Sequence, residues 1–418
     1  MIKLAFRNIF RQKMRTALTL GAIAFGTAGL ILSGGFVEDI FVQLREATIH
    51  AQLGHLQIYR AGYYAYGRRS PYQYMIEKPD ALAERLKKLP HVVDVLPRLQ
   101  FAGLLSNGRA NYSIVGDGVD PAREARLGDY VPSWMGKTSG PVPHRAFMLV
   151  AGRQLSDRDT SGILLGEGVA GALKLAPGDS ATVLLNTPEG ALNSLDFQVV
   201  GVFRTYSKDY DDRAVRMPLA AAQELVTRKA VHALVLSLDR TSATDAVAAA
   251  VARELPSKEY ESKTWLSLAD FYQKTVALYR RQFGVLQLIT LCMVLLTVAN
   301  SVNMTIFERT GEVGTMMALG NKQQEVRRLI VVENVILGLM GGLLGAGLGV
   351  GLAAAISSLG IPMPPPPNAD AGYVAYIRIV PSIVAEAFAA GFLATSLAAF
   401  FPARRASRLP VVEALRQN

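Results

Sequence analysis

Four long apolar stretches constrain this chain more than any other feature. Ala17 to Val37, Phe283 to Ile306, Leu329 to Leu359 and Pro381 to Phe401 are interrupted by only two charges, Glu333 and Glu386. At 1.5 Å per helical residue, about 20 residues cross a hydrocarbon core about 30 Å thick. Each stretch therefore predicts a spanning helix. They also explain why charged residues make up 19% of the chain, against roughly 25% in soluble domains. Disorder, collagen, coiled coil and a plain cytosolic enzyme are excluded. The first stretch is expected to be an uncleaved anchor, because it exceeds a signal h-region and SGGFVEDI offers no A-x-A site.

Orientation follows from the basic residues beside the spans. Segments 1–16, 307–328 and 402–418 hold thirteen basic and four acidic residues, and so carry nine of the net +10 charge. Both termini and the 307–328 loop are expected in the cytoplasm, with 38–282 and the proline loop 360–380 outside. The charge is thus a topology signal and not a nucleic-acid footprint, since no aromatic stacking residues are interleaved with it. Met1 to Arg15 reads as a basic amphipathic helix. Leu4, Ile9, Phe10 and Met14 would dip into lipid while Lys3, Arg7, Arg11 and Arg15 meet headgroups.

The external block 38–282 predicts a mixed α+β domain. Strand patterns occur at 92–99 (VVDVLPRL), Asn111 to Val115, Gly162 to Leu165, Ser180 to Leu185, Phe197 to Phe203 and Ala233 to Leu238. Helical patterns lie at Asp80 to Leu89, Gly168 to Leu175, Pro218 to Arg228 and Ser242 to Leu255. Pro177-Gly178-Asp179 and Pro188-Glu189-Gly190 mark turns. The lone Cys292 excludes an intramolecular disulfide and a cysteine zinc cage.

Catalytic chemistry is hard to place. His50, His55, His91, His144 and His232 form no metal spacing, and surface or structural roles are expected for them. Asp209, Asp211 and Asp212 read as a solvated loop. The tyrosine-rich segment Tyr59 to Tyr74 suits either a membrane interface or packing on its own domain. No phosphate-cradling G-x-x-x-x-G-K-[ST] occurs; GTMMALGNK fails the spacing. Neither a metal nor a cofactor is expected.

The membrane stretches carry packing signals. Gly21 and Gly26 in the first, with Gly338, Gly342, Gly345 and Gly349 in the third, allow close helix approach. Asn300, Ser301 and Asn303 can hydrogen-bond across helices. Glu333 and Glu386 are acids in an apolar setting, where a carboxylate faces an interior or partner. In the 308–328 segment, Met316, Met317, Ala318 and Leu319 would form an apolar bump rimmed by charge.

Several motifs together resemble a known superfamily. ERTGEVGTMMALG is similar to E-R-x-x-E-I-G-x-x-x-A-x-G, VENVILGLMGGLLGAGLG to a glutamate-then-glycine-rich span, and FPARRASRLPVVEALR to P-A-R-R-A-x-x-x-x-P-x-E-A-L-R. LPVVEALR lacks the usual acid before its proline. The chain resembles permeases of the MacB, FtsX and LolC/LolE (lipoprotein-release) superfamily of ABC transporters. GVDP, LLGEGVAGALKLAPGD and VVGVFRTYSKDYDD resemble its periplasmic domain, the lipoprotein-release branch nearest. The resemblance implies an α-helical membrane protein with four transmembrane helices and a large α+β periplasmic domain between helices 1 and 2. It further implies a bacterial inner-membrane location, a separate ABC ATPase that binds the ATP, a second permease, and a carrier or adaptor outside. A coupling helix in 308–328 would touch the ATPase through Glu308, Arg309, Glu312, Met316, Met317, Leu319 and Gly320. Lipoprotein release is the expected task. The alternatives are MacB-like export, FtsX-like activation of a cell-wall hydrolase and, from another class, a membrane-anchored periplasmic enzyme.

Overall fold

The computed structural model describes residues 2–11, 13–67, 69–128, 147–205, 207–364 and 373–406. His144, most of the proline loop and the tail motif beyond Ala406 lie outside the described residues. The chain divides into two compact units.

The first unit comprises residues 1–41, 276–362 and 374–418. Helix α1 (Ile2–Arg11) is followed by the long α2 (Lys13–Thr48). Among the described residues, four helices are long and apolar enough to cross a membrane: Lys13–Leu53, Asp270–Glu308, Gln323–Leu359 and Pro381–Arg405. The first two run well beyond their apolar stretches. Charged and polar residues such as Glu38, Arg45, Gln273 and Lys274 are adequate helix formers, so nothing stops the helix where the apolar run ends. The first helix stops where the chain, π-helical over Ile49–Leu53, reaches Gly54 at φ 64°.

The second unit, residues 42–275 and 363–373, is built on ten strands. These are β1 (Leu56–Arg60), β2 (Val92–Ser106), β3 (Asn111–Val119), β4 (Met148–Gly152), β5 (Gly162–Gly166), β6 (Ser180–Asn186), β7 (Leu192–Arg204), β8 (Ala214–Pro218), β9 (Ala233–Leu238) and β10 (Tyr260–Thr264). They hydrogen-bond in the order β10-β1-β9-β2-β3-β8-β5-β7-β4, with β6 paired to β2 and β7. The β3–β8 and β5–β7 pairs are parallel. Alternation on β6 buries Ala181, Val183 and Leu185, the period-2 pattern of a strand with one face covered.

Helices α3 (Pro79–Leu86), α4 (Pro121–Gly128), α5 (Glu167–Leu173), α6 (Lys208–Asp211), α7 (Leu219–Val226), α8 (Thr244–Glu254) and α9 (Trp265–Leu268) complete this unit. Two cores result. Leu99, Leu105, Val183, Val202 and Met217 pack with Val169 and Leu173 of α5 and Leu225 of α7. Leu56, Ile58, Val95 and Leu236 pack with Leu86 of α3 and Val247 of α8.

His50 and His55 take structural places: both are buried, with ring centroids 5.3 Å apart; the π-helical turn between them brings the rings together. Asp211, expected in a solvated loop, is instead buried, accepting the Thr205 backbone N–H and hydroxyl at 2.8 Å each. The tyrosine segment packs on its own unit at one end, with Tyr59 buried and stacked on Tyr63 at 4.8 Å, while Tyr66 stays exposed.

The remaining helices belong chiefly to the first unit: α10 (Asp270–Glu308), α11 (Thr310–Ala318), α12 (Gln323–Leu359), α13 (Pro381–Ala398) and α14 (Phe400–Ala406). Glycine sets the distance between α2 and α12. A methyl group at Gly345 would lie 2.7 Å from the Ala24 carbonyl oxygen. Gly349 faces Ala28 and Ile31, Gly26 faces Val294 of α10, and Gly338 and Gly342 face Phe392 and Phe388 of α13. Gly21 differs: among the described residues, no other group lies within 4 Å of where its side chain would be.

Candidate functional site: the Arg309 knot

Between α10 and α12 the chain makes one short helix and two sharp turns. Arg309, at φ −103° and ψ 14°, leaves the helical region and separates α10 from α11. Gly320, at φ 97°, closes the far end, a backbone that L side chains disfavour. Glu325 then accepts the Lys322 backbone N–H at 2.9 Å and starts α12. The segment 308–328 is thus largely helix.

A knot of charges joins residues of this helix with residues of α1, α2, α10 and α12. Arg309 Nε donates to Glu312 at 2.9 Å, and its Nη1 donates to Glu333 on α12 at 3.0 Å. Asn8 on α1 donates to the same Glu333 at 2.7 Å. Arg11 pairs with Glu312 at 2.8 Å, and Arg15 pairs with Glu308 at 2.6 Å. Thr19 and Ser301 share a hydrogen bond of 2.5 Å between α2 and α10. Burial works against the Arg309 charge, but Glu333 and Glu312 outweigh it and hold the guanidinium above the ordinary arginine range. Burial would raise Glu312, yet Arg309 and Arg11 keep it below the usual carboxylate range. A cavity of about 60 Å³ behind the knot is lined by Thr16, Thr19, Ser301, Glu333 and Asn334.

The seven expected partner-contact residues do not share one direction. Leu319 is 82% exposed, and Gly320 has open space beside it. Glu308 and Glu312 are partly exposed and engaged with Arg15 and Arg11. Arg309 turns inward, its side chain 17% exposed. Met316 and Met317 pack partly against the core of Val298, Val302, Val326 and Ile330, because α11 lays one face on the helix bundle. The apolar bump is therefore reduced to its tip at Leu319. The N-terminal segment also differs from expectation. Ile9 is buried in protein, and Arg11 and Arg15 meet carboxylates. The side chains of Lys3, Leu4 and Phe10 lie outside the described residues. Of the three polar residues near the end of α10, Ser301 bonds across helices, whereas Asn300 and Asn303 are exposed.

A second charged cluster, unexpected from the sequence, sits in the other unit. Arg98 of β2 and Arg216 of β8 are both buried and converge on Glu124 of α4. Arg98 donates to the Gln52 carbonyl, and Arg216 donates to the Ala51 carbonyl at 2.5 Å. They cap the last turn of the first long helix, which would otherwise leave carbonyls unsatisfied. Arg216 also lies 4.7 Å from the Phe147 ring. Burial opposes ionised Glu124, but the two arginines hold it below the usual range. An arginine inside each apolar strand pattern, VLPRL and AVRMP, was the available signal. Among the described residues, no group of three or more His, Cys, Asp or Glu could hold a metal ion.

Four spanning helices, a charged knot at the ends of three of them and a large α+β unit inserted after the first define a multi-pass membrane protein of the permease class. A family model described as the MacB-like periplasmic core domain matches residues 16–254, more than half of the chain. One described as the FtsX-like permease C-terminal matches 283–411. The chain belongs to the MacB/FtsX family of ABC transporter permeases. It is 24% identical over 431 residues to a macrolide export ATP-binding/permease protein MacB of Hyphomonas neptunium, covering 99% of this chain and 60% of that protein. A Rhodospirillum rubrum protein of the same name is 25% identical, with the same coverage. The chain thus spans about 60% of the length of these curated relatives. The periplasmic region of MacB from Actinobacillus actinomycetemcomitans aligns with a TM-score of 0.36 and 14% identity, covering 53% of this chain and 94% of that one.

Proposed function

We propose that the chain is a permease that converts ATP hydrolysis, carried out by a separate ATPase chain, into movement of its external α+β unit. The supporting observation is α11. It is tied to α12 through Arg309 and Glu333 and to α1 through Glu312 and Arg11, and it offers an exposed apolar tip at Leu319. A push on such an element reaches α10 and α12 together, because the buried Arg309–Glu333 pair resists separation. The flanking basic residues support a bacterial inner-membrane location with both termini cytoplasmic. A second permease and a periplasmic carrier or adaptor complete the proposed assembly, in which this subunit itself catalyses nothing.

The task is removal of an amphiphile from the outer leaflet, with a lipoprotein as the first candidate. MacB-like export is the second reading, favoured by the relatives named as macrolide exporters. Proteoliposomes holding this chain and its co-purified ATPase test the proposal. ATP-dependent appearance of lipoprotein in the soluble fraction supports release. Its absence, with ATP-dependent loss of a small amphiphile instead, supports export. Neither outcome, with active ATPase present, refutes the transport task.

A further inference from the structure

We propose that a groove walled by α2, α10 and α13 binds an amphiphile carrying a protonated amine. This rests on the permease reading and names a substrate class for it. The groove has a volume of about 620 Å³, within the range of small-molecule sites. Leu30, Val37, Phe283 and Leu288 give it apolar walls, and the acids Glu38 and Glu386 line it as well. Neither acid has an ion-pair or hydrogen-bond partner among the described residues. Among the described residues, the one cation lining the groove is Arg280, whose guanidinium lies 5.8 Å from the Phe41 ring centroid.

The neighbouring Asp39 shows what this fold does with a carboxylate that it neutralises internally. Asp39 is buried and accepts from Arg378 Nε at 3.1 Å and from the Tyr376 N–H at 2.9 Å. Glu386 has no such arrangement, although it sits in the second turn of a helix able to span a membrane. An uncompensated acid there is costly and marks a ligand or ion path. A ligand with a hydrocarbon body and an ammonium group fits both parts of the groove. A neutral amphiphile leaves Glu386 without a counter-charge, and an anionic one is repelled. A second copy of this chain placed symmetrically would bring the same two carboxylates to the same surface, adding like charge.

The test uses the full chain in phosphatidylcholine nanodiscs, with empty discs measuring simple partitioning. Cationic rhodamine 6G is titrated beside neutral Nile red and an anionic naphthalene sulfonate. Saturable rhodamine 6G binding is expected, weakened about tenfold in Glu386→Gln, equivalent to one charge contact of modest strength. The double variant with Glu38→Gln should lose the preference for rhodamine 6G over Nile red. Ile383→Trp, which fills the groove, should weaken binding of both dyes, whereas a folded Glu386→Gln protein should still bind Nile red. Rhodamine 6G uptake no greater than in empty discs, or unchanged affinity in the glutamine variants, overturns the proposal. If Glu386→Gln instead shifts the monomer–dimer balance at constant dye affinity, the groove is a copy interface and the proposal falls. ATPase stimulation on the same discs separates the two claims. A chain that stimulates its partner without binding rhodamine 6G refutes only the groove, and one that binds without stimulating refutes the permease reading.

Discussion

Removing Glu333 alone should be worse than removing Glu333 and Arg309 together. The pair is 3.0 Å apart, with side chains 8% and 17% exposed. At an effective dielectric of about 20, the gross attraction at that distance is about 5 kcal/mol. Desolvation cancels much of it in the intact protein. Glu333→Leu, however, leaves a guanidinium with half its partners in a site closed to water. Breaking a buried pair costs about 3–5 kcal/mol. Glu312 remains 2.9 Å from Arg309, so about 2–3 kcal/mol is expected here. Combining Glu333→Leu with Arg309→Met removes the stranded charge, and apolar substitutes for buried pairs are often neutral. Thermal unfolding of the purified chain in one detergent measures the cycle. The single variant should lose several degrees in Tm, and the double variant should recover most of that loss. Additive destabilisation, with the double variant the worst of the three, would refute the claim that the knot is a coupled unit.

Three further outcomes are expected. Leu319→Asp should leave Tm within about 1 °C of the parent, as exposed positions tolerate substitution, yet reduce stimulation of the partner ATPase at least tenfold; an unchanged stimulation removes α11 from the contact. Gly345→Leu should lose roughly 1–3 kcal/mol or more through overpacking against α2, whereas Gly21→Leu should be tolerated, and equal Tm losses for the two would show that the glycine contacts are misassigned. His232 is buried, and burial pulls its pKa down to about 4 from 6.5. The unfolded chain then binds the extra proton first, so stability is full above pH 6.5 and falls as pH drops towards 4. From pH 7 to pH 5 the loss due to His232 is about 2 kcal/mol, and His232→Gln should remove that share of the pH–Tm slope while the share of His55, whose pKa burial also pulls down to about 4, remains.

The spans were legible because an uncharged run of membrane length has few other readings. Their helical extensions were not, since Glu38 to Thr48 and Asp270 to Arg280 mix apolar residues such as Ile40, Phe41 and Val276 with charged and polar ones, so no uncharged run marks them. In the external unit, alternation located Ser180 to Leu185 and Ala233 to Leu238, but pairing order is a long-range property that no local pattern carries. The 308–328 segment was visible as a motif. Its inward face was not, because the contact of Asn8 with Glu333 joins residues 325 positions apart. For the same reason Arg11 and Arg15 read as lipid-facing cations when their carboxylate partners lie in a distant stretch. The glycines show a related limit. Gly21 and Gly345 have the same small-residue spacing, but only helix rotation decides which of them meets a neighbour.

If α11 relays force, an ATPase must push on its exposed tip. A cysteine placed at Leu319 in a Cys292→Ser background, treated with a short bifunctional thiol reagent in intact membranes, probes that contact where it would occur. The predicted result is a crosslinked species containing a P-loop ATPase chain, its yield changing when ATP is added. A cysteine that reacts freely yet yields no ATPase adduct under any nucleotide condition would contradict it.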